Sequence, residues 1–187
     1  DLFEDKCYIS LVGFMFKNTQ LFNVPIPWFG TFEEINLRFY VVRKEGNQIK
    51  RGVVFINETI PYPIVAWVAN KLYKEHYTVV PTKHEQEVNS DFQKIKFGWL
   101  VNSNWNSMEV SYSFGTDKMK KDSLEQFIYD HYYGYTKVDD TKTEEYKLQH
   151  PSWKTHTISN YEIECDFQAM YGTDFAILNE TKPAAVF

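Results

Sequence analysis

The sequence predicts a mainly β fold with a few helices (α+β), in which most strands run antiparallel. Aromatic residues make up 18% of the chain, with 13 Tyr and 15 Phe, and such side chains favour the pleated, half-buried surface of a sheet. Several segments also alternate apolar and polar residues at the two-residue period of a strand. At 187 residues and 24% charged side chains, the chain suits one domain with a substantial core and is not typical of a disordered protein. We therefore predict a single domain over residues 1–187.

The first strands are predicted as a buried strand followed by a hairpin. Cys7–Phe16 is apolar on both faces, as in a strand that is buried on both sides. The segment 25–30 contains two prolines and a glycine, which predict a loop. The strand Ile35–Arg43 then leads into the turn signal Glu45-Gly46-Asn47, and Ile49–Asn57 returns. This order predicts a β-hairpin.

One helix follows the hairpin. From Pro63 onward, apolar residues recur at helical spacing, and proline suits the first helical turn. The sequence therefore predicts a helix from about Pro63 to His76. Lys71 and Lys74 are expected on its solvated face.

The second half of the chain predicts more strands and two short helical segments. Ser123 is a suitable N-cap for a helix that extends to Tyr129. Cys165–Tyr171 predicts a last helical turn, closed by Gly172. The predicted strands are Phe92–Val101, Ser107–Phe114, Tyr132–Val138, Thr143–Leu148 and Lys154–Ile163.

One face of the hairpin's first strand carries an unusual set of polar residues. At a period of two, Glu34, Asn36, Arg38 and Tyr40 point to one side, while apolar residues point to the other. A carboxylate, an amide, a guanidinium and a phenol in a row can line a polar pocket. They are also compatible with a structural Glu–Arg pair on a solvated sheet face. Periodicity alone leaves both interpretations open.

The register of the hairpin decides which residue joins this polar face. A two-residue turn at Gly46 and Asn47 pairs Asn36 with Asn57 and Arg38 with Phe55. Asn57 would then extend the polar face. A shift of one residue would bring Glu58 there instead.

Several classes of function are not expected from the composition. The net charge is −5 and no basic stripe is present, so nucleic-acid binding is not expected. No apolar run approaches the ~20 residues that span a bilayer, so we expect no membrane association and a cytoplasmic protein. The histidines lack metal-ligand spacing and no glycine-rich phosphate loop occurs, so neither a metal nor a cofactor is expected.

Thiol or serine catalysis is not expected either. Cys7 lies in an apolar strand and Cys165 has acidic neighbours, so neither environment favours a thiolate. Two cysteines so far apart are more typical of buried small hydrophobes than of a disulfide framework. No Gly-x-Ser-x-Gly motif is present.

Six blocks of the sequence occur in the order seen in a known family: Ser10–Phe16, Val24–Pro27, Phe32–Tyr40, Gly52–Phe55, Tyr132–Tyr135 and His150–Trp153. The chain is similar to the YqjF-like proteins, a bacterial family of unknown function related to acetoacetate decarboxylase. The Glu-x-Asn-x-Arg-x-Tyr strand is the most specific element of a resemblance that covers nearly the whole chain. Family members carry further residues before Asp1, so we expect residues to precede this sequence.

The resemblance implies an antiparallel sheet that closes into a barrel-like cavity. Acetoacetate decarboxylases hold a Schiff-base lysine there, in a Gly-x-Pro-Lys motif. The matching stretch is Lys74-Glu-His-Tyr77, which places Tyr77 where the lysine would be. Tyrosine cannot form an imine, so decarboxylation through that intermediate is not expected. Glu34, by contrast, resembles a glutamate that lies in the decarboxylase cavity.

Three functional hypotheses follow from these observations. In the first, the cavity binds a small polar or anionic organic ligand. In the second, Glu34 is the general acid/base of an enzyme that acts on a carbonyl compound without a covalent lysine. In the third, the domain is a structural or interaction module, and in each case an oligomer is possible. For the first hypothesis, Arg38 would anchor the ligand, Glu34 and Tyr40 would orient it or exchange protons, and Asn36, Asn57 and Tyr77 would complete the wall.

Overall fold

Two β-sheets dominate the fold, as described by a computed structural model for residues 1–21, 24–25, 30–148 and 154–187. In chain order, the strands are β1 (Ile9–Phe16), β2 (Gln20–Leu21), β3 (Val24–Pro25), β4 (Phe32–Glu45), β5 (Gln48–Ile60), β6 (Tyr77–Val79), β7 (Thr82–Val88), β8 (Phe92–Val101), β9 (Asn104–Ser113), β10 (Tyr133–Lys137), β11 (Thr143–Lys147) and β12 (Ile158–Glu164). The helices are α1 (Pro63–Val68), α2 (Leu124–Tyr129) and α3 (Phe167–Tyr171), with a π-helix at Ala69–Tyr73 and a 3₁₀ helix at Thr173–Asn179.

The larger sheet has the order β1-β4-β5-β10-β11, and β6 also pairs with β5. Its β1–β4, β4–β5 and β10–β11 pairs are antiparallel. The β5–β6 and β5–β10 pairs are parallel. Since β10 pairs at Gly52 and Val53 and β6 pairs from Glu58 onward, the two strands share one edge of β5. We call the interval between them the fork of β5.

The smaller sheet packs against one face of the larger sheet. Its order is β12-β9-β8-β7, and all its pairs are antiparallel. Ile35 of β4 packs with Phe97 and Trp99 of β8 in a buried cluster. At Gly13 of β1, a Cβ atom would overlap the side chains of Met108 and Phe97. The two sheets therefore approach each other closely at this glycine.

The structure confirms the prediction of a mainly β fold with a few short helices. The predicted hairpin is present, with Glu45 paired to Gln48 across the turn and Gly46 at φ +58°. Among the described residues, the strands form two sheets and the short β2–β3 pair, and they do not close into a barrel. The larger sheet also contains parallel pairs, so its strands are not all antiparallel.

Some boundaries and burial predictions were wrong. The predicted helix at 63–76 is α1 continued by a π-helix, and it ends at Lys74, which adopts the left-handed conformation (φ 57°). Cys7 is exposed and precedes β1, whose residues are half-buried rather than fully buried. Lys71 and Lys74 are exposed, as predicted. Most of the predicted loop at 25–30 lies outside the described residues.

The pairing of β10 with β5 leaves no room for a side chain at Gly52. A Cβ atom there would lie 2.7 Å from the main-chain oxygen of Tyr133 and 2.5 Å from the ring of Tyr135. Since a backbone oxygen in a sheet cannot move aside, we expect Gly52→Ala to lower the free energy of unfolding by about 1–3 kcal/mol. Urea denaturation measures this change.

Gly98→Ala is the matched control, because Gly98 is also inside a strand. Its added Cβ would contact the flexible side chain of Lys83 at 3.1 Å, so a smaller loss is expected. Equal losses in the two variants would contradict the steric explanation for Gly52.

Candidate functional site

The polar face of β4 lies between two apolar clusters. At one end, Tyr40 packs with Val53, Phe55, Phe127 and Ile128. At the other end, a second cluster contains Phe32, Ile60 and Ala66. Glu34 and Asn36 lie between these ends, and each is 1% exposed. The interpretation that these two residues lie on a solvated sheet face is therefore wrong.

A row of directly paired residues crosses three strands at this place. Asn36 of β4 pairs with Glu58 of β5, and Glu58 pairs with Tyr77 of β6. Glu58 is 4% exposed. Because paired residues on neighbouring strands point to the same side, Asn36, Glu58 and Tyr77 share one face of the sheet. We call these three residues together with Glu34 the buried row.

A β-bulge determines which β5 residue joins the row. Arg38 pairs with Phe55 as predicted, but Leu37 pairs with Asn57, which leaves Ile56 as an extra residue in β5. A bulge of this kind reverses the side-chain alternation beyond it. Asn57 is thereby placed on the opposite face, and the predicted Asn36–Asn57 pairing is wrong. The alternative register, which brings Glu58 next to Asn36, is the one observed.

Both carboxylate oxygens of Glu34 accept hydrogen bonds. Asn36 Nδ2 donates to Oε1 at 2.9 Å, and the Tyr77 hydroxyl donates to Oε2 at 3.1 Å. Burial nevertheless raises the pKa of Glu34 to about 7, against the opposing effects of these bonds and of the positive charge of Arg38. Glu34 can thus take up or release a proton near neutral pH.

Two further carboxyl groups lie close to Glu34. Burial raises the pKa of Glu58 well above its usual value, and the negative charges of Glu34 and Glu75 raise it further. Glu75 precedes β6 and accepts a hydrogen bond from Thr136 Oγ1 of β10 at 2.9 Å. This bond links the segment that leads into β6 with β10, the two strands on either side of the fork. Helical periodicity placed Glu75 in the predicted helix 63–76, and nothing in the sequence indicated that it reaches the site.

Three buried polar atoms around the row have no hydrogen-bond partner among the described residues. They are Asn36 Oδ1, Glu58 Oε2 and Arg38 Nε. A buried polar atom that is left unpaired costs about 1–3 kcal/mol, so most such atoms in folded proteins have partners. The three atoms lie on neighbouring residues of the β4–β5 pair.

Asn70 holds Tyr77 in place through its main chain. Its Nδ2 donates to Tyr77 O at 2.9 Å, and its Oδ1 accepts from Tyr77 N at 2.8 Å. Asn70 lies in the π-helix, and such irregular turns frequently occur at functional sites. The left-handed conformation of Lys74 ends this helix and allows the chain to return as β6.

Two of the six predicted ligand-binding residues are not brought into this cluster. The Tyr40 hydroxyl forms a 2.7 Å hydrogen bond with Ser10 Oγ, and its ring packs against His131 with centroids 4.8 Å apart. Asn57 Nδ2 donates to His76 O at 3.0 Å and to Thr78 Oγ1 at 2.7 Å. Protein groups therefore already partner both residues, whereas Glu34, Asn36, Arg38 and Tyr77 lie in or beside the row.

Other candidate groups do not form a second site. In the part of the chain that the structure describes, no cluster of His, Cys, Asp and Glu is arranged to hold a metal ion. Burial raises the pKa of the Cys165 thiol to about 12, which disfavours the thiolate. No described helix is long and apolar enough to cross a membrane. His150 and Trp153 lie outside the described residues.

A groove of about 300 Å³ lies at the edge of the smaller sheet. It is formed by the start of β12 at Ile158–Tyr161 and by the C-terminal segment Pro183–Val186. None of these residues is charged, and none belongs to the buried row. The groove therefore does not provide the acid–base chemistry that the row provides.

The fold and the row define a class of protein: a two-sheet β protein with a buried cluster of carboxyl, amide, phenol and guanidinium groups. The whole chain, residues 1–187, matches the DUF2071 family, which is described as an uncharacterized conserved protein. The chain belongs to this family, and its resemblance to the YqjF-like proteins is consistent with that membership. No curated protein and no solved structure gave a match.

Proposed function

We propose that the buried row and Arg38 bind a small polar or anionic organic ligand without forming a Schiff base. The observation that carries this proposal is the set of three unpartnered buried atoms on Asn36, Glu58 and Arg38. A purely structural cluster would be expected to satisfy its buried polar atoms within the protein, as most folded proteins do. We therefore favour a binding site over a structural role.

Arg38 is the anchor for an acceptor group of the ligand. Its Nε has no partner in the described part of the chain, and a guanidinium can donate two parallel hydrogen bonds to a carboxylate. The raised pKa values of Glu34 and Glu58 reduce the negative charge that an anionic ligand would meet. An anion can therefore approach Arg38 despite the neighbouring carboxyl groups.

The contact between Tyr77 and Glu34 agrees with a site that resembles the decarboxylase site but lacks its covalent chemistry. By resemblance, Tyr77 occupies the position of the Schiff-base lysine, and its hydroxyl contacts Glu34. That is the arrangement expected if a related site has kept its polar side chains and lost its nucleophile. A phenol at this position donates a hydrogen bond but forms no imine.

The Arg38→Ala variant tests the anchor. Wild-type protein is expected to show a rise in melting temperature with millimolar small carboxylic acids, and Arg38→Ala is expected to lose at least tenfold in affinity, because one charge-assisted hydrogen bond contributes about 1.5–3 kcal/mol. Differential scanning fluorimetry with a panel of oxo, hydroxy and amino acids measures this effect.

Arg43→Ala is the matched control, since Arg43 lies on the same strand but pairs with Glu45 and Glu145 at the surface. It removes the same charge and is expected to leave the affinity unchanged. An unchanged ligand affinity in Arg38→Ala, or an equal loss of affinity in both variants, would contradict the anchoring role of Arg38.

A second candidate function is acid–base catalysis on a carbonyl compound. Glu34, with a pKa of about 7, is suited to exchange a proton near neutral pH. Turnover of a bound oxo acid that disappears in Glu34→Gln while binding persists would favour the enzyme. Borohydride trapping of a lysine adduct would instead show that covalent chemistry occurs.

A further inference from the structure

Asn36 constrains the chemistry of the ligand because its orientation is determined by Glu34. The Nδ2 group donates to Glu34 Oε1 at 2.9 Å. While Glu34 is ionised, an exchange of the amide nitrogen and oxygen would place two acceptors against each other, so Oδ1 is the free atom. That oxygen is buried, unpartnered and able only to accept. It requires a hydrogen-bond donor.

Glu58, whose carboxyl also interacts with Tyr77 and Glu75, can accept the same donor from the neighbouring strand. It pairs directly with Asn36, and the Cβ atoms of such a pair lie roughly 4.5–5.5 Å apart. One small group can therefore reach both Asn36 Oδ1 and Glu58 Oε2. Oε2 can accept a hydrogen bond when Glu58 is ionised, and a protonated carboxyl retains acceptor capacity as well.

The balance of charges around the row also favours a donor. Glu34, Glu58 and Glu75 interact electrostatically with one another, and Arg38 is the cation that acts on Glu34. A carbonyl oxygen placed there would face the lone pairs of Asn36 Oδ1 and leave that atom unsatisfied. A hydroxyl or an ammonium group would satisfy Asn36 Oδ1, and Glu58 can accept from it as well.

The separation between the two anchors limits the size of the ligand. Arg38 and Asn36 are two residues apart on β4, which places their Cα atoms about 6.6–6.8 Å apart along the strand. A molecule that reaches from Arg38 Nε to Asn36 Oδ1 therefore needs its acceptor and donor groups within a few bonds of each other.

On the basis of the proposed function, we infer that the ligand carries a hydroxyl or ammonium donor close to its carboxylate. Arg38 binds the carboxylate, while Asn36 and Glu58 accept the donor. The site therefore selects hydroxy or amino acids over oxo acids with the same carbon skeleton. A site built around a ligand's hydrogen-bond donor rejects an analogue that lacks it, because its own buried polar groups are left unpaired.

Isothermal titration calorimetry with matched trios of acids tests this inference. The three-carbon trio is lactate, alanine and pyruvate, and the five-carbon trio is 2-hydroxyglutarate, glutamate and 2-oxoglutarate. We expect the hydroxy or the amino member of a trio to bind at least tenfold more tightly than the oxo member. A preference for the hydroxy acid identifies a hydroxyl donor, and a preference for the amino acid identifies an ammonium donor.

The Asn36→Leu variant tests whether Asn36 causes the preference. Leucine has a similar shape but accepts no hydrogen bond, so the ratio of affinities within a trio should fall by at least fivefold while the oxo acid still binds. Asn106→Leu is the control, because Asn106 is another buried strand asparagine, whose amide oxygen accepts from Asp166 N at 2.8 Å in the other sheet. It should leave the ratio unchanged.

The outcomes separate this inference from the proposed function. Equal affinities within both trios, or a preference for the oxo acids, would overturn the donor requirement and leave the binding site standing. A ratio that persists in Asn36→Leu would also overturn it. No binding by any of the six acids would overturn the proposed function and the inference together.

Discussion

Glu34→Gln is expected to be more stable than the wild-type protein at pH 8, by about 3 kcal/mol in the free energy of unfolding. Burial raises the pKa of Glu34 from 4.5 to about 7, and each pKa unit corresponds to about 1.36 kcal/mol. Between these two pH values the folded protein keeps a proton that the unfolded chain has released. The contribution of Glu34 is therefore fully present below pH 4.5 and is lost as the pH rises to 7.

The amide introduced by Glu34→Gln is neutral at every pH, so the variant should not show this loss. Urea denaturation of both proteins between pH 4.5 and 8.5 measures the difference between the two stability curves. Glu87→Gln on the exposed strand β7 is the control, and its curve should run parallel to that of the wild type. Parallel curves for Glu34→Gln and the wild type would contradict the raised pKa.

A gain in stability from Glu34→Gln would also bear on function. A residue that lowers stability at neutral pH is retained more readily when it serves a binding or catalytic role. If the same variant loses ligand affinity, Glu34 belongs to the site. If it gains stability and binds as before, Glu34 is dispensable for recognition.

Acid is expected to destabilise the fold through His131. The side chain is fully buried and packs on the rings of Tyr40 and Phe127, with both pairs of centroids 4.8 Å apart. Burial lowers its pKa from 6.5 to about 4. Because the unfolded chain binds the proton first, stability falls as the pH drops from 6.5 to about 4, by about 3 kcal/mol.

The His131→Asn variant tests this acid effect. As a neutral imidazole, His131 donates from Nδ1 to Phe127 O at 2.7 Å, and the asparagine amide can replace this donor without titrating. The variant is expected to be less stable at pH 7 because of the smaller side chain. Its free energy of unfolding should, however, change less than that of the wild type as the pH falls below 6.5. A slope below pH 6.5 equal to that of the wild type would contradict the role of His131.

The two groups act in opposite directions between pH 4.5 and 6.5. Acidification strengthens the fold through Glu34 and weakens it through His131. The two contributions therefore partly cancel in the wild-type curve, whereas Glu34→Gln leaves that of His131 and His131→Asn leaves that of Glu34. Glu58, whose pKa is also raised, adds a slope in the same direction as Glu34. The double variant should show neither slope, since the two residues lie in different clusters and their effects should add.

Much of the candidate site was predictable from local patterns. The two-residue period placed Glu34, Asn36 and Arg38 on one face, and the turn at Gly46 predicted the pairing of Arg38 with Phe55, which is observed. These features depend on the geometry of one strand and one turn. Tyr77 was predicted from the family resemblance and not from its own surroundings.

The remaining features depend on long-range contacts that local patterns do not record. Glu58 joins the row because Ile56 is extra, and no feature of the β5 sequence marks a bulge there. Glu75 and Asn70 reach the site because β6 pairs in parallel with β5, and that pairing joins segments with a helix between them. The strand β7 was missed because six of its seven residues are exposed and mostly polar.

The bulge in β5 has a consequence for how relatives of this chain should be compared. The residue next to Asn36 depends on whether β5 bulges at Ile56, and not only on the identity of the β5 residues. With the bulge, Glu58 lies opposite Asn36, whereas an unbroken ladder through Ile56 would place Asn57 there and turn Glu58 toward the other sheet. Relatives with the same β5 sequence but no bulge would therefore carry an amide in place of a carboxyl in the site and should be expected to prefer different ligands.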